Sequence, residues 1–116
     1  MLVCSWTGAG DAPGSGVQEL GVEVSGLPLA VAREGTYVEC SFEIPPGGFV
    51  MVYTDGVTEA LHADQGVYGQ ERLYKQVEAA AGDPCQVGQL VIDDVRRFIG
   101  ASPQSDDMCL VCFGRT

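Results

Sequence analysis

A chain of 116 residues, 46% hydrophobic and with a mean hydropathy of +0.12, can bury the core of one domain and no more. Its formal charge of −10, from 6 Lys and Arg against 16 Asp and Glu, excludes the phosphate-backbone attraction on which binding to nucleic acid or an anionic membrane rests. No apolar run approaches the roughly 20 residues of a membrane helix, and the opening "MLVCSW" has neither basic leader nor cleavage site, so a cytoplasmic protein is expected.

In chain order, "MLVCSW" reads as a strand and "TGAGDAPGSG" as a Gly/Pro/Ser loop. The glycines Gly8, Gly10 and Gly14 have the wrong spacing for a nucleotide loop, and no helix follows them. "VQELGVEV" alternates weakly and "GLPLAVAREG" is a turn-rich connector. "TYVECSFEI" alternates cleanly, Val38, Cys40, Phe42 and Ile44 against Tyr37, Glu39, Ser41 and Glu43, which predicts a half-buried antiparallel strand. After "PPGG", the run "FVMVYT" is apolar on both parities and predicts a central strand covered on both faces.

Two helices are expected next. From Gln70 the residues Leu73, Val77 and Ala80/Ala81 follow helical spacing, with Gly82 as the C-terminal cap. The second helix opens on Asp83, with Pro84 at its first position and Gln86 completing an approximate capping box. Its stripe is Val87, Leu90/Val91, Val95 and Phe98, and Gly100 ends it. "ASPQSDD" is a loop and "MCLVCF" a last strand buried on both faces. Five cysteines in apolar company suggest buried reduced thiols, not a disulfide framework. Cys109 and Cys112 form a C-x-x-C, but on a strand they point to opposite faces. Strands followed by a helical pair and a returning strand indicate a layered α+β domain with an antiparallel sheet.

Asp55 closes the strand "FVMVYT", and Asp106 and Asp107 immediately precede "MCLVCF". If these strands are antiparallel neighbours, the carboxylates meet at one sheet edge. Clustered carboxylates without a competing His or Cys set suit hard divalent ions such as Mg²⁺ or Mn²⁺. Asp55-Gly56 between apolar residues is equally the signal of a two-residue hairpin turn, and Asp106-Asp107 equally reads as polar loop. Glu59 could face such an ion's water or cap a turn. His62, the sole histidine, reads as a surface loop residue.

"PPGGFVMVYTDGVTEA", then "GVYGQERL", a helix pair and "SDDMCLVCF", resemble in order and spacing the C-terminal half of metal-dependent type 2C Ser/Thr phosphatases, in their bacterial SpoIIE/RsbU-like branch. The upstream "GAGDAPGSGVQELGVEVSGLPLAV" is similar to that branch's "AGHxP…GxPLG" region. The resemblance implies an antiparallel β-sandwich flanked by helices, incomplete in residues 1–116. It also implies two Mn²⁺ or Mg²⁺ ions that activate a water for hydrolysis of phosphoserine or phosphothreonine. By resemblance Asp55 and Asp106 are metal ligands of one ion, Gly56 lets the chain turn away from Asp55, and Asp107 supports the site; no residue is assigned a covalent role.

Departures from the family pattern stand at Asp11, Gly48, Ala30 and Cys109, and the family's N-terminal Asp-Gly motif is absent from these residues. The expectation is therefore at most one weakly held ion and little activity of the chain alone. The implied partner is a phosphorylated regulatory protein of the anti-sigma-factor-antagonist type. The alternative is a non-catalytic, truncated or degenerate phosphatase domain that binds a regulator, with open apolar strand faces prone to self-association. A plain acidic domain without a site is the third reading.

Overall fold

The computed structural model describes residues 2–5 (backbone only), 16–24, 26, 30–80 and 83–116. A four-stranded sheet runs in the order β2 (Glu19–Leu20), β1 (Leu2–Ser5), β3 (Phe49–Tyr53), β6 (Leu110–Gly114). Every pairing in it is antiparallel, with Phe49 opposite Gly114 and Tyr53 opposite Leu110 at the two ends of the β3–β6 ladder. Between β3 and β6 the chain makes the one-turn helix α1 (Asp55–Thr58), a small antiparallel pair β4 (Leu61–His62) and β5 (Gly66–Val67), and the helices α2 (Gln70–Ala79) and α3 (Pro84–Ile99).

β3 is the central strand the apolar run predicts. Phe49, Met51 and Tyr53 on one parity pack into a single buried cluster with Leu73 and Val77 of α2 and Val87, Val91, Val95 and Phe98 of α3. Alternation along the strand and the 3.6-residue repeat of the helices thus point the same side chains at one another. The Asp83 carboxylate accepts the Cys85 amide at 2.9 Å, with Pro84 in the first turn, and Gly100 at φ 58° closes α3. Proline pre-sets the first turn, and glycine enters the left-handed region without a Cβ penalty.

Four expectations need correction. Residues 37–44 form no strand: Tyr37, Val38 and Phe42 are all exposed, and no described strand pairs with them. Alternation shows that a segment could lie on a sheet, but only a neighbouring strand makes it one. β6 is not buried on both faces. It is the outer strand, and Val111 and Phe113 lie exposed on the side away from the helices, at 51% and 47%. Among the described side chains Cys40, Cys85, Cys109 and Cys112 are free thiols, but the first three are exposed and Cys112 is partly covered, where burial beside Cys85 pushes its pKa up to about 11. Leu90 is exposed, because the buried stripe of α3 runs through Val87 and Val91 instead. Asp11, Gly82 and the Gly8–Gly14 loop lie outside the described residues.

Candidate functional site

Asp55 does not sit in a two-residue hairpin. It opens α1 at the C-terminal end of β3, with the Glu59 amide donating to its carbonyl at 2.8 Å. The stated condition for convergence holds: β3 and β6 are antiparallel neighbours. Carrying their register one step past Tyr53–Leu110 sets Thr54 opposite Cys109, where the Thr54 amide donates to the Cys109 carbonyl at 3.0 Å. Two steps further Gly56 falls opposite Asp107.

The two turns touch there. A Cβ added to Gly56 would lie 2.2 Å from the Asp107 carbonyl oxygen and 2.9 Å from its carbon, closer than real Cβ contacts come. Gly56 is buried and its φ is not positive. The glycine is therefore required for the space it leaves beside the Asp107 carbonyl, not for a positive φ. The Thr54 hydroxyl donates to the Asp107 carbonyl at 3.2 Å and accepts the Cys109 amide at 3.0 Å. Within the second turn the Asp106 carboxylate accepts the Asp107 amide at 2.7 Å, and the Gln104 amide group donates to the Asp106 carbonyl at 2.7 Å. Asp55, Asp106 and Asp107 are all exposed.

The arrangement offers acceptor-only carboxylate oxygens on two turns in contact, a donor set suited to a hard cation and not to a soft one. Among the described residues no group of three or more His, Cys, Asp or Glu is close enough to hold an ion. The turns thus supply at most two such ligand residues to any one ion. His62 lies on β4, where its Nδ1 accepts the Asp64 and Gln65 amides at 3.0 and 3.2 Å and its ring stands 5.7 Å from Phe98. That role is structural. Glu59 closes α1 and is exposed.

One cluster escaped the sequence reading. Asp94, only 4% exposed, takes two bonds from Arg72 at 2.9 and 3.0 Å and one from the Tyr68 hydroxyl at 2.8 Å. The Arg72 guanidinium also covers the Tyr68 and Phe98 rings at 5.2 and 5.0 Å. Arg72 holds the Asp94 carboxyl below the usual carboxylate range against the opposing effect of burial, while burial and the Asp94 bond push the Tyr68 phenol up. The signal was present: Asp94 stands inside the Val91–Phe98 stripe at helical spacing, and a carboxylate on a buried face needs a partner.

Backbone bonds link this cluster to α1. The Tyr68 amide donates to the Ala60 carbonyl at 2.8 Å and the Gly69 amide to the Thr58 carbonyl at 2.9 Å. The end of α1 is thereby tied to the segment that Asp94 anchors on α3.

Comparison with known structures gives the class of fold. The chain superposes on the SiaA-PP2C domain of Pseudomonas aeruginosa with a TM-score of 0.69 at 21% identity, over 99% of this chain and 43% of that one. It superposes on the phosphatase domain of the cell fate determinant SpoIIE from Bacillus subtilis, in a manganese-presoaked structure, with a TM-score of 0.62 at 15% identity, over 99% of this chain and 46% of that one. The architecture is thus that of type 2C phosphatase domains, of which this chain spans under half.

The family follows from sequence. The model of stage II sporulation protein E (SpoIIE) matches residues 4–116, and the chain belongs to that family. Protein IcfG of Synechocystis sp. is 25% identical over 91 residues, which are 78% of this chain and 14% of that protein. Among the described residues no helix is long and apolar enough to cross a membrane.

Proposed function

We propose that residues 1–116 are the C-terminal portion of a type 2C phosphatase domain that removes phosphate from serine or threonine of a regulatory protein. In this reading Asp55 and Asp106 hold one Mn²⁺ or Mg²⁺ ion, Gly56 admits the close approach of their turns, and Asp107 supports them. The observation that carries the reading is the contact between the two acidic turns across the β3–β6 ladder. Family membership and fold support phosphatase chemistry in general.

When bound, a divalent ion here supplies an acidified water and neutralises phosphoryl oxygens that gain charge. This chain's own residues do the holding. Two exposed carboxylates on rigid, mutually packed turns lose little freedom on binding a cation, and the cation offsets their repulsion. Two carboxylates bind such an ion only weakly, so further anionic ligands must come from elsewhere in a complete domain. Phosphate release from a phosphoserine peptide with Mn²⁺ tests this. Activity should be negligible for the chain alone, and should appear when the remaining domain is supplied and vanish in Asp55→Asn. Activity in the completed domain that survives Asp55→Asn refutes it.

The non-catalytic reading is favoured by one observation: the sheet face away from the helices leaves Val111 and Phe113 open. Such a face suits association with another apolar layer. Concentration-dependent sedimentation without Mn²⁺-dependent activity in the completed domain would support it over the phosphatase reading.

A further inference from the structure

We infer that Thr54 is a positioning residue whose hydroxyl sets the spacing of the Asp55 turn and the Asp106-Asp107 turn, and through it the affinity of the pair for a divalent cation. The inference rests on the proposed metal role of Asp55 and Asp106. The β3–β6 ladder ends at Tyr53–Leu110, and α1 begins at Asp55. Regular strand pairing therefore stops short of the contact between Gly56 and Asp107.

Thr54 spans that point with three hydrogen bonds. Its amide donates to the Cys109 carbonyl at 3.0 Å, its hydroxyl accepts the Cys109 amide at 3.0 Å, and the same hydroxyl donates to the Asp107 carbonyl at 3.2 Å. The hydroxyl grips both sides of Met108, so the turn carrying Asp106 and Asp107 cannot swing away without losing both bonds. The Asp107 carbonyl it holds is the atom against which Gly56 packs. One oxygen thus accepts the hydroxyl and abuts the glycine, and its position sets the separation of the turns.

A bland role for Thr54, that of a β-branched residue ending a strand, requires only the shape of the side chain. Valine keeps that shape and loses the hydroxyl; serine keeps the hydroxyl and loses the methyl. The two substitutions therefore separate the roles. Mn²⁺ titration calorimetry and amide hydrogen exchange are measured on the completed domain in its wild-type, Thr54→Val and Thr54→Ser forms. We expect Thr54→Val to bind Mn²⁺ about tenfold or more weakly, the usual effect of removing a group that orients a ligand, and its Cys109 amide to exchange faster. Thr54→Ser should stay within about twofold of wild type in affinity.

Wild-type affinity in Thr54→Val, equal loss in both variants, or unchanged exchange at Cys109 overturns the positioning role while leaving Asp55 and Asp106 as ligands. Failure of the completed wild-type domain to bind Mn²⁺ saturably overturns the ligand assignment, and the inference with it.

Discussion

Gly56→Ala separates packing from propensity. Alanine is the better helix former by about 1 kcal/mol, and Gly56 lies within α1 at a φ that alanine tolerates. Local preference alone predicts a gain in stability. The new methyl, however, would stand 2.2 Å from the Asp107 carbonyl oxygen, more than 1 Å short of the ~3.5 Å at which non-bonded carbon atoms rest. The obstructing atom is backbone, so no rotamer change relieves the clash, and the two turns must part by about 1 Å. Forcing extra volume into a packed contact costs about 1–3 kcal/mol, and the same displacement should weaken Mn²⁺ binding by about tenfold or more. Urea denaturation and Mn²⁺ titration read the two effects separately. An alanine variant as stable as wild type, with unchanged affinity, would refute the close approach on which the site is built.

Other perturbations test the surroundings of the site. Asp94→Asn should destabilise the protein by about 2 kcal/mol, less than the about 3–5 kcal/mol of a fully buried pair because the Arg72 side chain is 39% exposed. The Asp94 carboxyl is held below its usual range, so the contribution is complete above the unfolded value near pH ~4 and is lost as pH falls through the folded value. Urea midpoints of wild type and variant should therefore converge below pH ~4; a constant gap contradicts the assignment. Ala30 adopts φ 68°, a left-handed conformation that costs a Cβ-bearing residue about 1 kcal/mol or more. Ala30→Gly should raise stability by about 0.5 kcal/mol after glycine's greater unfolded-state entropy is counted, as thermal melting would show. With its pKa raised to about 11 by burial, Cys112 should alkylate far more slowly at neutral pH than exposed Cys40, Cys85 and Cys109, as peptide mass spectrometry would show.

Much of the fold was legible where local and tertiary demands coincide. "FVMVYT" is apolar on both parities because β3 lies between two strands and under two helices, and Asp83, Pro84 and Gly100 mark the ends of α3 by their own stereochemistry. That antiparallel pairing of β3 with the last strand brings the turns after Tyr53 and before Leu110 side by side was legible too. The failures share a cause: pattern reports what a segment could do, and partners decide what it does. Residues 37–44 alternate like a strand without a described strand beside them, and β6 is apolar on both faces with helices on only one. The need for Gly56 arises from the Asp107 carbonyl, which is distant in sequence and cannot be read locally. Asp94 was legible in principle, as a carboxylate on a helix's buried face, although its partner Arg72 lies on another helix.

Anomalous diffraction at the manganese edge from crystals of the protein soaked in Mn²⁺ would locate the cation directly. A single peak with one oxygen of Asp55 and one of Asp106 at about 2.1 Å is the predicted result. A peak bound elsewhere, or Asp55 and Asp106 turned to separate ions, would contradict the shared site.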